Sequence, residues 1–366
     1  MKYLDEYRDP GLAETLAARI RQVSSRGVNF MEFCGGHTVT IARYGIESLL
    51  PEQVHLLSGP GCPVCVTPME LIDKMIALAN QPEMIVTTYG DMLRVPGSSS
   101  SLAFERGRGA DVRIVYSSYD ALEIARSTPE QQVVFFGIGF ETTAPATAAA
   151  VLRARQLNID NFSVVSAHKT TPAIIKALLD TEELELDGLI CPGHVSVITG
   201  TAPYIYAAEQ RGVPCVISGF EPVDVLQSVL MLVEQVENGN SRVEIQYRRG
   251  VRPDGNEKAR RLMSEVFRPA DSNWRGIGVV AASGLALRDE FSKWDALARF
   301  PLEIPRTAEP AGCICGRILR GVASPSDCAL FGKRCTPSMP VGACMVSSEG
   351  ACQAHYRFGR IHPRTP

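Results

Sequence analysis

Two short pairs of soft ligands dominate the chemistry that this sequence can do. Cys34 and His37 stand in a CxxH pattern, and Cys62 and Cys65 in a CxxC pattern, both within residues 29–68. Each pair follows an apolar run and precedes a helical pattern. Residues 28–33 read as a short strand, Cys34-Gly35-Gly36 as a tight turn, and 37–44 as a helix opened by it. The arrangement repeats after residues 54–57. There Ser58 to Gly61 turns the chain, and Thr67-Pro68-Met69-Glu70 offers an N-cap, a proline at the first helical position and a capping-box glutamate. Both cysteine sites are therefore expected beside helix N-termini, where dipole and free N–H groups favour thiolate over thiol. Three chemistries suit them: a zinc site of three thiolates and one imidazole, thiol–disulfide exchange at CPVC, or an iron site that keeps positions open for exogenous ligands.

The sequence holds eleven cysteines, and six of them crowd the tail between Cys313 and Cys352. Cys313, Cys328, Cys335 and Cys352 follow a C-x14-C-x6-C-x16-C spacing. Four such thiolates suit a [4Fe–4S] cluster or a zinc held by four cysteines. The iron–sulfur reading is preferred because paired CxxC knuckles are missing from the tail. Cys315 is an equally placed substitute for Cys313, and Cys344 has no assigned role. The tail has few large apolar residues, so metal ligation would supply stability that it otherwise lacks. A neighbouring cluster would also be able to deliver electrons to CPVC. Cys191 and Cys215 lie in apolar runs and read as core residues.

These residues need a scaffold, and its class is legible. From residue 28 onward, short β-branched runs at 84–88, 112–116, 133–138, 163–166, 189–191 and 213–218 alternate with helical patterns. Continuous apolar strands separated by helices predict an α/β fold with parallel sheets covered on both faces. Ligands of such sheets bind beyond the carboxyl ends of the strands. The loops CGGH, GPGCPVC, YGDMLRVPG, GFETT, HKTTP, CPGHVS and GFEP should thus share one rim. Asp91, Glu141 and His194 in these loops are candidates for proton transfer or partner contact, with capping or loop structure as the competing role. His55 reads as structural, and His355 stays unassigned. A weak echo of residues 136–142 in 216–222 suggests two similar α/β domains, divided here as 26–130 and 131–240. Residues 1–25 and 241–366 are assigned to a third, mixed, Cys-rich iron–sulfur domain. Single segments are expected as a helix over 5–25 and others over 202–210 and 256–267.

Composition removes several function classes. The formal charge is −3 with pI near 6.1, and no basic stripe is interleaved with aromatics, so nucleic acid is not an expected partner. No run of 18 apolar residues occurs and the N-terminus is charged and amphipathic, so no membrane span or signal peptide is expected and a cytoplasmic location is. There is no Walker A pattern, and GIGFET lacks the third glycine of a dinucleotide loop.

The strings FCGGHT, GPGCPVCVTP, YGDMLRVPGS, GFETTAP, PGHVS, GFEP and CMVSSEGACQAHY, in this order over nearly the whole chain, resemble those of the HypD family of hydrogenase maturation factors. That resemblance implies a cytoplasmic scaffold of two related α/β domains and a [4Fe–4S]-bearing third domain. With the small chaperone HypC such a scaffold builds the Fe(CN)2CO moiety of [NiFe]-hydrogenase for the large subunit, with cyanide arriving through HypF and HypE. It implies Cys34 as the direct iron ligand with His37 beside it. Cys62 and Cys65 become iron ligands or a dithiol/disulfide pair. The cluster cysteines become Cys328, Cys335, Cys352 and one of Cys313 or Cys315. A soft iron carrying cyanide suits thiolates, and Arg94, His37 or helix N–H groups are suited to hydrogen-bond the cyanides. From residue chemistry alone two alternatives stay open, an Fe–S-dependent dithiol oxidoreductase and a structural zinc protein.

Overall fold

The computed structural model describes residues 5–181, 185–305 and 308–359. Eleven strands are present among them: β1 (Val28–Glu32), β2 (Val54–Ser58), β3 (Met84–Thr88), β4 (Asp111–Ile114), β5 (Gln132–Gly139), β6 (Phe162–His168), β7 (Gly188–Pro192), β8 (Cys215–Ser218), β9 (Val243–Ile245), β10 (Phe267–Trp274) and β11 (Gly278–Leu287). They form two parallel sheets, ordered β2-β1-β7-β8-β9 and β4-β3-β5-β6, and one antiparallel hairpin, β10-β11. The expected α/β class with parallel sheets is thus the observed one. Strand β5 shows why: Val133 to Ile138 is an unbroken apolar run buried on both faces.

The sheets do not follow the two halves of the sequence. The chain lays down β1 and β2, leaves to build the whole second sheet, and returns at β7, which pairs with β1 through Met31 opposite Leu189. A boundary at residue 130 separates β4 from β5, two strands of the same sheet. Parallel neighbours need crossovers, and nothing in a local pattern tells a crossover within a sheet from one that changes sheet. Cys191 and Cys215 are fully buried in β7 and β8, as core residues.

Several local expectations are revised. Pro10 splits residues 5–25 into a 3₁₀ turn (Asp5–Tyr7) and a helix (Pro10–Val23) capped by Asp9, whose carboxylate accepts from Leu12 N at 2.8 Å. Residues 202–210 form a 3₁₀ turn (Ala202–Tyr204) and a π-helix (Tyr206–Gln210). The capping box at 67–70 does not form. The Thr67 hydroxyl donates to Pro63 O at 2.8 Å and Glu70 pairs with Lys74, because an extra helical turn (Pro63–Val66) intervenes. The glycine-containing stretch 276–284 lies mostly in β11. The hairpin β10-β11 is held to the second sheet by Lys169, a buried residue following β6, whose ammonium donates to Ser272 Oγ and, at 2.7 Å, to Asn273 O. Burial pulls that lysine down to about 7. Among the described residues no helix is long and apolar enough to cross a membrane.

Candidate functional site

The carboxyl ends of the two sheets face one cleft of about 270 Å³. Its walls come from Phe33 and Cys34 after β1, Pro60, Gly61 and Pro63 after β2, Phe140, Thr142 and Thr143 after β5, Thr171 and Ile174 after β6, Pro192, His194 and Val195 after β7, and Glu349 of the tail. Five of the seven strand-end loops therefore meet on one rim, as parallel-sheet geometry requires.

Cys34 is the N-cap of the helix Gly35–Arg43, with extended backbone. Its carbonyl accepts from His37 N at 2.8 Å and Thr38 N at 3.1 Å, and its own N–H donates to Glu32 Oε2 at 2.9 Å. Two glycines allow this packing. A Cβ on Gly61 would lie 2.3 Å from Cys34 N, and one on Gly35 would lie 2.4 Å from the Glu349 Cβ. The expected depression of the thiol pKa by the helix N-terminus does not win. Burial first, then the Glu349 carboxyl, push Cys34 up to about 12, while the N–H groups of Gly36 and His37 oppose this weakly. Unliganded Cys34 is a thiol at neutral pH.

His37 is buried behind the wall, not on it. Its Nε2 donates to Gly219 O at 2.9 Å, its Nδ1 has no partner among the described residues, and burial lowers it to about 4, so it is a neutral imidazole. The ring stacks on Phe220 with centroids 4.8 Å apart, and His194 stacks on Phe220 at 3.9 Å. Burial lowers His194 as well. The GFEP loop thus reaches the site through an aromatic ring that links one buried and one cleft-lining histidine.

Cys62 and Cys65 are joined in a disulfide, with Cα atoms 5.3 Å apart. Cys62 caps the turn Pro63–Val66, its sulfur accepting from Cys65 N at 3.2 Å. Both are buried, and between them Pro63 is the residue that reaches the cleft.

The remaining sequence candidates serve other contacts. Glu141 is buried and accepts from Thr171 N at 2.8 Å and Thr171 Oγ1 at 2.9 Å, tying the β5 loop to the start of the next helix, and burial raises its pKa. Asp91 accepts from Ser347 Oγ at 3.1 Å. Arg94 donates to Pro337 O and Val346 O, each at 3.4 Å, so it clamps the tail and does not line the cleft. Two acidic residues escaped the sequence reading. Glu349 lines the cleft with its pKa raised by burial and then by Asp91, and Glu32 is buried under Cys34, where burial raises it to about 8 despite hydrogen bonds from Thr38 and Cys34 N. The string SSEG and the glutamate preceding FCGGH were the available signals, but only the fold brings the two together.

In the tail, the sulfurs of Cys313 and Cys315 lie 3.3 Å apart, and Cys315 also contacts Cys344 and Cys352. The hydrogen bond with Cys315 pulls Cys313 down to about 6, whereas contacts with Cys313 and Cys344 hold Cys315 protonated. Cys335 accepts from Val341 N at 3.3 Å and its charge is felt at Cys352, while the Cys328 thiol points to the Gly312 carbonyl at 3.8 Å. Cys344, unassigned from sequence, is fully buried at the centre of this group. Among the described residues no three His, Cys, Asp or Glu side chains are set to hold one metal ion.

Comparison with known proteins names the scaffold. A family model described as "Hydrogenase formation hypA family", labelled HypD, matches residues 11–359. The chain is 49% identical to the hydrogenase maturation factor HypD of Rhizobium leguminosarum bv. viciae, over 100% of this chain and 97% of that protein. It is 49% identical to HypD of Cupriavidus necator over 99% and 98%, and 51% identical to the hydrogenase expression/formation protein HupD of Azotobacter chroococcum mcd 1 over 98% and 97%. The chain belongs to the HypD family. Its role is hydrogenase maturation, a task shared with other maturation proteins, and for a HypD protein the clustered cysteines point to metal binding.

Proposed function

We infer that this HypD-family chain is the scaffold on which the Fe(CN)2CO moiety of [NiFe]-hydrogenase is assembled, with that iron unit as its cargo. The observation that carries the reading is Cys34, a free thiol on the wall of a cleft shared by the carboxyl ends of both sheets. A soft iron needs a thiolate, and binding requires Cys34 to give up its proton. Glu349, on the same wall and with its proton affinity raised by burial and then by Asp91, is the acceptor within the cleft, and His194 is the other titrating side chain there. Of the threonine hydroxyls on the wall, those of Thr143 and Thr171 already donate to Ile138 O and Glu141 Oε2, so Thr142 is the one on hand to donate to a cyanide nitrogen, a role that Arg94, turned toward the tail, does not fill. HypC is the proposed docking partner. HypE, supplied by HypF, is the proposed donor of cyanide, the large subunit the recipient, and the cytoplasm the site of action.

The tail is proposed to hold a [4Fe–4S] cluster. The donor type suits it: Cys315 Sγ lies against Cys313 and contacts Cys344 and Cys352, and Cys335 acts on Cys352, so the tail gathers soft sulfur donors in one region. Cys328, Cys335, Cys352 and one of the adjacent pair Cys313 and Cys315 are the proposed ligands. When bound, such a cluster supplies single electrons at low potential.

A second reading, dithiol/disulfide exchange, is favoured by the Cys62–Cys65 disulfide. The same bond weighs against the zinc alternative, since disulfide sulfurs offer no thiolates.

Infrared spectroscopy of the anaerobically purified chain, co-expressed with its chaperone, tests the scaffold. Cyanide and carbonyl bands that vanish in Cys34→Ala, with the cluster absorption retained, are expected. Their absence from protein with full iron and partner occupancy moves the assignment to the dithiol oxidoreductase.

A further inference from the structure

Phe220 sits where three strand-end loops close. Its ring stacks on His37, with centroids 4.8 Å apart and 20° between the planes, and on His194, at 3.9 Å and 21°, while Tyr247 meets it edge-on at 6.0 Å. Two glycines leave room for it: a Cβ on Gly36 would lie 2.9 Å from Phe220 Cδ1, and one on Gly193 would lie 3.2 Å from Phe220 Cε2. The helices Gly35–Arg43 and Gly193–Thr199, which follow β1 and β7, thus close onto one ring from the loop after β8.

The backbone that carries this ring is pinned. Gly219 O accepts from His37 Nε2 at 2.9 Å, Phe220 O accepts from Thr40 Oγ1 at 2.6 Å, and Gly219 N donates to Gln246 Oε1 at 3.0 Å. His194 is held differently. It is exposed to the cleft, and among the described residues its side chain makes no hydrogen bond or ion pair, so the stack on Phe220 is what sets its plane. Desolvation by the wall behind it lowers its pKa, so near neutral pH it carries one N–H and one bare nitrogen, both unspent on protein.

We propose that Phe220 is a positioning residue: it holds the His194 ring so that an imidazole N–H donates to a cyanide nitrogen of the iron cargo. The inference deepens the scaffold reading above and rests on it. An iron-bound cyanide offers a negatively charged nitrogen, and a donor already oriented toward it loses least freedom on binding. An imidazole released from the stack would spread over about three χ1 wells and two χ2 ranges, so its productive orientation would fall up to about sixfold.

A double-mutant cycle on the full chain, co-expressed with its chaperone, tests this by infrared spectroscopy. Phe220→Leu is expected to shift and broaden the cyanide bands more than the carbonyl band, and to speed their loss to a chelator by up to about sixfold. His194→Ala should shift the same bands, Phe220→Leu should add nothing in that background, and Phe220→Tyr should restore the wild-type spectrum. Wild-type bands in Phe220→Leu overturn the proposal, as do effects that add in the double variant. If Phe220→Leu does not fold, unchanged cyanide bands in His194→Ala overturn it alone. NMR of the cargo-free chain with labelled histidine separates the two readings. The His194 ring protons, assigned with His194→Ala, should be shifted upfield by the Phe220 ring and lose that shift in Phe220→Leu, and their absence from that position in the wild type refutes the stack. A wild type that shows the stack but has no cyanide or carbonyl bands at full iron and partner occupancy refutes the scaffold reading itself and, with it, this inference.

Discussion

Gly61 presses its α-carbon against the Phe33–Cys34 peptide so closely that an added Cβ would sit 2.3 Å from Cys34 N and from Phe33 C. The atoms it would meet are backbone in a buried turn and have no rotamer by which to escape. Gly61→Ala should therefore cost on the order of 3 kcal/mol of stability, and it should displace Cys34 relative to the cleft. Urea unfolding with mapping of Cys34 alkylation checks both. A midpoint within error of wild type would show that the two cysteine loops are not in register as described.

The Cys34 thiol itself makes a second prediction. Held near 12 against an ordinary value of 9.0, it should alkylate with iodoacetamide at pH 8 on the order of a thousandfold more slowly than an ordinary cysteine, since each pKa unit is a factor of ten in thiolate. Its rate should keep rising tenfold per pH unit through pH 10. Glu349→Gln removes the carboxyl that disfavours the thiolate more than Glu32 does, so it should speed the reaction several-fold at fixed pH. Mass-spectrometric quantitation of the Cys34 peptide measures this, and a plateau below pH 9 would contradict the assignment of burial as the cause.

That thiol also shows where the sequence could and could not be read. The α/β class was legible because strands buried on both faces, such as 133–138, are written as continuous apolar runs, and the shared rim followed from strand-end geometry. The acidity of Cys34 was misjudged because a helix N-terminus is local while desolvation and Glu349 are not. Arg94 looked like a cleft residue because YGDMLRVPG ends a strand, but β3 carries it to the tail carbonyls. Pairing of β1 with β7 was illegible for the same reason that Glu32 and Glu349 were: each depends on segments far apart in the chain.

Glu32 gives the last prediction, through the pH dependence of stability. Its folded pKa is raised from 4.5 to about 8, chiefly by burial. The folded state therefore keeps its proton where the unfolded chain has lost it. Stability from this group is fully present below about 4.5 and is lost progressively as pH rises toward about 8. The total is of the order of a few kcal/mol, since each pKa unit corresponds to ~1.4 kcal/mol. Glu32→Gln has no proton to lose. It should give up part of the acceptor capacity used by Cys34 N and Thr38, and so be less stable than wild type at pH 5, but the difference should shrink or reverse by pH 8. Urea midpoints across pH 5–8 for both proteins measure the two slopes, and parallel curves would mean that Glu32 is ionised beneath Cys34 after all.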